Sequence, residues 1–221
     1  SSGSAAAMSW TCVGVRSSGR TPDSSDRRHD DSMTGRRGDE SEVRCNVSIP
    51  TNVTHVTVER KAGSAIGGGR APMAGYYRGR MRVATWNVNS VKQRIPRLLP
   101  WLDERRPDVV CLQETKLSDA AFDESLGTDL ADRGYEVAHA GQGQWNGVAL
   151  LSRVGLDDVR IGFDGMPGYP DPSTLEARAV SAVCGGLRIH SLYVPNGRTP
   201  DSDHYTYKLE WLAALARAVE D

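Results

Sequence analysis

The sequence predicts an α+β fold in which a mixed sheet carries helices on its outer face, preceded by a largely disordered tail. Two short apolar runs, 82–86 and 108–113, flank a helical stripe, which indicates a strand, a helix and a strand. Further apolar runs then follow one another mostly without helices between them, which argues against a simple doubly wound sheet. Residues 1–80 contain no Leu and no Phe, so they lack the usual core side chains.

The first 80 residues differ in composition from the rest of the chain. They hold 12 Ser and 11 Gly, the residues most typical of linkers. Such a segment buries too little apolar area to offset an ordering entropy of roughly 1–2 kcal/mol per residue. We therefore expect 1–80 to be disordered or a non-native extension, with Met81 as a candidate start and 81–221 as a partial domain. Residues 43–58 are its one candidate for a weak strand or hairpin.

The charge, the cysteines and the apolar runs of the sequence limit which kinds of protein it encodes. Residues 1–80 carry 12 Lys+Arg against 8 Asp+Glu, a net +4, and this thin excess favours a solvated tail over a nucleic-acid-binding arm. The four cysteines show no metal-ligand spacing, and Cys111 lies inside an apolar run. The sequence has no run of about 18 apolar residues and no signal-peptide pattern. We expect a cytoplasmic monomer with no membrane contact.

The first half of 81–221 predicts two strands and two helices. The strand at 82–86 breaks at a polar segment rich in turn and cap residues. A helix follows, and Pro96 and Pro100 predict that it is short or kinked. Its apolar stripe consists of Val91, Ile95, Leu98, Leu99 and Leu102. The strand at 108–113 is buried on both faces by its pattern, and Ser118 with Asp119 caps a second helix to about residue 130.

The second half predicts mostly strands. We expect strands at 135–139 and 147–152 around a loop at 141–146, and a short strand at 159–161 before a loop at 163–174. Two paired strands, 177–183 and 187–194, flank the tight turn at Gly185 and Gly186. The final helix spans 207–219. Its predicted apolar face consists of Leu209, Leu212, Leu215 and Ala216.

Polar clusters follow three of the apolar strands. They are Asn87 with Asn89, then Gln113, Glu114 and Lys116, then Tyr193, Asn196 and Arg198. If these strands are neighbours, the clusters meet at one rim of the sheet. A carboxylate with an amide before it and a cation after it suits a hard metal ion and a phosphate ester. A purely structural role remains open for each residue. Asn87 would then form a turn or helix cap, Glu114 would be a surface carboxylate, and Tyr193 would be a half-buried aromatic residue of a strand.

Four segments together resemble a known family. They are WNVNS at 86–90, PDVVCLQETK at 107–116, GVALLS at 147–152 and YVPNG at 193–197. In this order and spacing they resemble exonuclease III and the class II apurinic/apyrimidinic endonucleases, within the endonuclease/exonuclease/phosphatase superfamily. The resemblance covers essentially all of 81–221 and none of 1–80. It implies the N-terminal half of a four-layer α/β sandwich, and a DNA repair nuclease that cleaves abasic sites and trims 3′ ends of duplex DNA.

The resemblance also implies roles for individual residues. Glu114 and Asn87 would hold a Mg²⁺ or Mn²⁺ ion, and Asn87 would also lie beside the scissile phosphate. Tyr193 would reach the phosphate through its hydroxyl. Lys116 would hold Glu114 or steer the DNA backbone, and Arg178 would be a positioning cation. The implied substrate-binding residues are Asn89, Lys116, Trp145, Asn146, Arg178 and Asn196.

The sequence departs from the family pattern in one respect. The family's second half supplies a Gly-Asp-x-Asn segment whose Asp activates water, and this sequence contains no such segment. Ser-Asp-His at 202–204 spells the family's closing tripeptide, but its position indicates a loop and a helix cap. We therefore expect half an active site and a large exposed apolar face. A catalytically silent fragment, a binding module and a related phosphatase are the alternatives.

Overall fold

This computed structural model describes residues 15–17, 43–48, 53–60 and 80–220. Three strands precede the domain: β1 (Val15–Ser17), β2 (Val43–Ser48) and β3 (Val53–Arg60). β2 and β3 pair antiparallel, which confirms the possible hairpin in residues 43–58. These three strands are exceptions to the expected disorder of 1–80, and the rest of that prediction lies outside the described residues.

Within the described residues, ten strands form two sheets instead of the single mixed sheet expected. The later strands are β4 (Arg80–Asn87), β5 (Val109–Gln113), β6 (Glu136–Gln142), β7 (Trp145–Ser152), β8 (Asp157–Ile161), β9 (Ala179–Cys184) and β10 (Leu187–Leu192). One sheet has the order β2-β3-β4-β5-β7-β6 and the other β1-β10-β9-β8. The larger sheet is mixed, because β4 and β5 are parallel while their other neighbours are antiparallel.

The helices lie outside the sheets. They are α1 (Val91–Arg105), α2 (Asp119–Phe122), α3 (Thr128–Asp132) and α4 (Asp203–Glu220), and a π-helical turn (Asp123–Gly127) joins α2 to α3. Ser118 caps α2, accepting from the Ala121 amide at 3.3 Å. α1 runs through Pro96 and Pro100, and both prolines are exposed. The hydrogen bonds that they remove therefore lie on the solvent side.

In the part of the chain that the structure describes, three apolar cores separate the layers. One packs α1 to α3 on the six-stranded sheet, through residues such as Leu98 and Phe122. A second fills the space between the two sheets and includes Leu150 and Ile189. The third packs α4 on the other face of the four-stranded sheet. The large exposed apolar face expected from sequence is therefore absent from the described residues of the sheet-to-sheet core, because the second sheet covers it.

Two local predictions differ from the structure. The expected loop at 141–146 is the tip of a tight β6–β7 hairpin, with its turn at residues 143–144. α4 buries Tyr207, Trp211 and Ala214, whereas Leu209 and Leu212 are exposed. Each aromatic side chain buries about 150–250 Å², so Tyr207 and Trp211 decide which face turns inward. Within the described part of the chain, no helix has the length and apolarity needed to cross a membrane.

The orientation of α4 predicts unequal effects of two substitutions. Trp211 is fully buried and meets Phe163 edge to face at 5.1 Å. Trp211→Ala should lower the free energy of unfolding by about 3–5 kcal/mol, measured by urea denaturation and circular dichroism. Leu209→Ala is the control and should change it by about 0.5 kcal/mol or less. Equal losses would contradict this orientation.

Candidate active site

Three strand ends meet at one edge between the two sheets, whereas the sequence predicted that they meet at one rim of a single sheet. Asn87 ends β4 and lies opposite Gln113, the last residue of the parallel strand β5. Glu114 follows β5 directly, and Tyr193 follows β10 in the other sheet. A side-chain hydrogen bond joins the Tyr193 hydroxyl to the Glu114 carboxylate. The site therefore draws on both sheets.

The buried side chain of Gln113 fastens these strand ends together. Its amide nitrogen lies 3.2 Å from the Thr85 hydroxyl on β4 and 3.2 Å from the Ser191 hydroxyl on β10. Ser191 in turn donates to the Leu112 carbonyl at 3.2 Å. Gln113 and Ser191 are almost wholly inaccessible to solvent. Gln113, which the sequence grouped with the site, therefore works beneath it as a cross-link.

The Glu114 carboxylate is the centre of the site. Its Oε1 accepts from Asn87 Nδ2 at 2.8 Å, and its Oε2 lies 3.2 Å from Lys116 Nζ. Burial alone would raise the pKa of Glu114, but hydrogen bonds from Asn87, Lys116 and Tyr193 hold that pKa below its ordinary value. Glu114 is consequently a carboxylate at neutral pH, held by three donors.

Asn87, Asn89 and Lys116 form a connected group beside that carboxylate. The Asn87 Oδ1 accepts from the Asn89 backbone N–H at 3.1 Å, and this bond sets which end of the Asn87 amide faces Glu114. Lys116 Nζ donates to Asn89 Oδ1 at 2.5 Å. The lysine therefore bridges Asn89 and Glu114, and the structure brings together four of the predicted residues.

Tyr193 is held under the guanidinium of Arg178. The Arg178 guanidinium carbon lies 4.8 Å from the ring centre, and Arg178 is itself buried. Burial and the Glu114 carboxylate raise the pKa of Tyr193 to about 12, although Arg178 opposes this rise. The phenol therefore stays protonated at neutral pH. It serves as a hydrogen-bond donor there.

Glu176 is a residue of the site that the sequence does not predict. Its carboxylate accepts from Arg178 Nε at 2.7 Å and from Asn146 Nδ2 at 2.9 Å. Burial would raise the pKa of Glu176, but these donors and the Arg178 charge hold it low. Glu176 thereby links Asn146 on the hairpin to Arg178 against Tyr193. Only its place two residues before Arg178 hinted at this role.

Backbone strain concentrates at the site. The described part of the chain has eight non-glycine residues with positive φ, and five of them lie here. They are Asn89, Ser90, Glu114, Lys116 and Asn146. Each such conformation costs of order 1–3 kcal/mol and persists where surrounding contacts impose it. Those contacts include Ser90 N–H to the Glu114 carbonyl, 2.7 Å, and Lys116 N–H to the Asn146 carbonyl, 3.1 Å.

Two predicted site residues lie at the margin. Trp145 begins β7 with 71% of its surface exposed, and it neighbours Asn146 in the chain. The Asn196 side chain accepts from the Arg198 backbone N–H at 2.9 Å, so it bonds within its own loop. The structure thus connects most predicted residues through hydrogen bonds and leaves Trp145 projecting into solvent.

The donor set suits a hard metal ion with few protein ligands. Among the described residues, no three His, Cys, Asp or Glu side chains cluster as metal ligands. Mg²⁺ commonly binds through one or two carboxylates and keeps several waters. The ionised Glu114 fits as that single carboxylate. The Asn87 Oδ1 lies on the end of the amide that does not bond to Glu114, and it retains a second lone pair.

Comparison with known proteins finds matches in one family. The model of the Endonuclease/Exonuclease/phosphatase family matches residues 84–221. An exodeoxyribonuclease III of Haemophilus influenzae is 36% identical over 83 residues, which are 38% of this chain and 30% of that protein. An exodeoxyribonuclease of Bacillus subtilis is 27% identical over 139 residues, which are 61% and 50%. The chain therefore spans at most about half the length of these relatives.

Solved structures agree. A 3′ phosphatase from Neisseria, bound to a product DNA hairpin, is 35% identical with a TM-score of 0.58, covering 64% of this chain and 52% of that one. An AP endonuclease from Archaeoglobus fulgidus is 37% identical with a TM-score of 0.56, covering 63% and 51%. Both similarities concern about half of the other chain.

The charge of Lys116 predicts the titration of Glu114. Lys116→Met should raise the pKa of Glu114 toward its ordinary value, because a donor and a positive charge are lost. A depressed folded-state pKa stabilises the fold above the unfolded-state pKa, and this stabilisation is lost as pH falls through the folded-state pKa. The stability difference between the proteins should therefore shrink in acid. Carboxyl ¹³C NMR measures the pKa, with exposed Lys92→Met as control. An unchanged pKa of Glu114 in Lys116→Met would contradict this prediction.

Proposed function

The chain belongs to the endonuclease/exonuclease/phosphatase family, and from this premise we propose that it is a Mg²⁺-dependent DNA repair nuclease. The proposed activities are cleavage beside abasic sites and 3′–5′ exonucleolytic trimming of duplex DNA. The observation that carries the proposal is the Glu114 carboxylate, held ionised by Asn87, Lys116 and Tyr193 at the junction of the sheets. We further propose that the stacked layers are the N-terminal half of a four-layer sandwich.

The chemistry of the side chains supports this assignment. A Mg²⁺ or Mn²⁺ ion bound at Glu114, with Asn87 as a second ligand, would offset charge on the scissile phosphate. Lys116 and Asn89 lie beside Glu114 and offer the phosphate a cation and an amide. Tyr193, protonated at neutral pH, donates its hydroxyl hydrogen to an acceptor, which is Glu114 in the free protein and a phosphate oxygen in the complex.

The remaining proposed residues act on substrate position. Arg178 keeps the Tyr193 ring in place through the contact at 4.8 Å. Asn146 is fixed through Glu176, and Trp145 projects from the same hairpin. An exposed aromatic side chain is able to enter a gap in a DNA duplex. We assign Trp145, Asn146 and Asn196 to the DNA surface around the site.

Hydrolysis of a 3′ phosphate is the second candidate activity. The Neisseria relative is named a 3′ phosphatase and is 35% identical over the matched region. Removal of a terminal phosphate uses the same charge compensation at phosphorus as cleavage of a diester. If the chain is instead a catalytically silent fragment, it should bind DNA without cleaving it. A substrate panel of abasic duplex, recessed 3′ end and 3′-phosphate duplex separates these candidates.

The proposal predicts the effect of removing one carboxylate. The chain lacks a Gly-Asp-x-Asn segment, so its cleavage of an abasic duplex with Mg²⁺ should be slow, and EDTA should abolish it. Glu114→Gln should reduce the rate by about a hundredfold or more, because several kcal/mol of charge stabilisation depend on the ion that Glu114 holds. Glu136→Gln, at an exposed position of β6, is the control and should cleave like the wild type. Equal rates for all three proteins would exclude Glu114 from the reaction.

The position of Trp145 predicts selective DNA binding. Trp145→Ala should weaken binding to an abasic duplex by about 5- to 150-fold, since stacking on an aromatic side chain contributes about 1–3 kcal/mol. Binding to intact duplex should change much less. Fluorescence anisotropy at fixed salt measures both affinities. Ile161→Ala removes another exposed apolar side chain and is the control. Equal weakening on both duplexes would show that Trp145 does not sense the gap.

A further inference from the structure

A second row of hydrogen-bonded side chains lies behind the Glu114 loop. Asp119 Oδ1 is 2.8 Å from His139 Nδ1, and His139 Nε2 is 2.8 Å from the Thr115 hydroxyl. Phe122 stacks on the imidazole with ring centres 4.2 Å apart, and the His139 side chain is only 6% exposed. The order of groups is carboxylate, imidazole, hydroxyl, which is also the order in a Ser-His-Asp triad.

The other contacts of Asp119 and the charge state of His139 determine which group donates in each hydrogen bond of the row. Asp119 Oδ1 also accepts from the Gly141 N–H at 2.7 Å, so it acts as an acceptor and His139 Nδ1 donates to it. Burial lowers the pKa of His139 although Asp119 opposes this, which favours a neutral ring. A neutral ring that donates at Nδ1 accepts at Nε2, so the Thr115 hydroxyl donates to His139.

This row does not present a nucleophile to a substrate. Thr115 is fully buried, whereas a nucleophile must reach the reacting atom. Gly147 covers it so closely that a Cβ built there would lie 2.1 Å from the Thr115 hydroxyl. The hydroxyl therefore acts within the protein.

Thr115 stands between two residues of the site that have positive φ. Glu114 precedes it at φ +54°, and Lys116 follows it at φ +55°. Its backbone is tied on both sides, to the Gly147 carbonyl at 3.1 Å and the Val91 N–H at 3.0 Å. The bond to His139 adds a side-chain anchor. Three anchors at this residue determine where the Glu114 and Lys116 side chains point.

We propose that Asp119 and His139 are positioning residues that hold Thr115 and thereby aim Glu114 and Lys116 at the metal and phosphate. This inference rests on the proposed function for the identity of that ligand. The row places the ordered, neutral imidazole of His139 behind the Glu114 carboxylate. Loss of the Thr115 hydroxyl would remove the side-chain anchor of the strained segment 114–116.

The first test measures metal affinity instead of activity. Thr115→Ala should weaken Mn²⁺ binding by about tenfold in calorimetry, and Thr115→Ser, which keeps the hydroxyl, should stay within about twofold of the wild type. Ser152→Ala is the matched control. It removes a buried hydroxyl that bonds to the Gly155 carbonyl at 2.6 Å, at the far end of β7. It should lower Tm without changing Mn²⁺ affinity.

A second test needs no metal. Amide hydrogen exchange of Ser90 and Lys116, whose N–H groups bond across the loop, should quicken in Thr115→Ala but not in Thr115→Ser or Ser152→Ala. Imidazole ¹⁵N NMR should show His139 protonated at Nδ1 in the wild type. Unchanged exchange and unchanged Mn²⁺ affinity in Thr115→Ala would overturn the inference. A wild type that binds no Mn²⁺ would overturn the proposed function, and the exchange data would still decide the positioning role.

Discussion

The carboxamide of Gln113 is the constraint on which the site depends. It lies buried between the sheets and reaches Thr85 on one strand and Ser191 on another, both at 3.2 Å. A buried amide without partners costs several kcal/mol, so these strands cannot separate freely. Asn87 ends the first of these strands, Tyr193 follows the second, and Glu114 follows Gln113 itself, so a polar cross-link in the core fixes the distances between the groups of the site.

The residues above Gln113 combine local backbone strain with aligned side chains. Glu114 is partly buried, yet its pKa is low because Asn87, Lys116 and Tyr193 all donate to it. Positive φ at Glu114 and Lys116 directs both side chains to the same place. Neither the charge nor the backbone conformation is favourable alone. The ionised carboxylate and the positive-φ backbone both persist because the surrounding hydrogen bonds of the site stabilise them.

The sequence predicted the strand ends well because their signal is local. An apolar run that stops at polar residues marks both the strand and its functional edge, as at 108–116. The second sheet, the buried face of α4 and the role of Glu176 were missed because they depend on long-range packing. Glu176 and Arg178 resemble surface charges in sequence. Only the approach of Tyr193 and Asn146 buries them together.

The β6–β7 hairpin supports Glu114 from two directions. His139 on β6 anchors Thr115, while Asn146 and Gly147 on β7 accept backbone bonds from Lys116 and Thr115. Asn146 also reaches Glu176, and through it the Arg178 that packs on Tyr193. A displacement of the hairpin tip would therefore disturb both sides of the carboxylate at once. The tight β6–β7 turn, which the sequence predicted as a loop at 141–146, is thus part of what gives the site its shape.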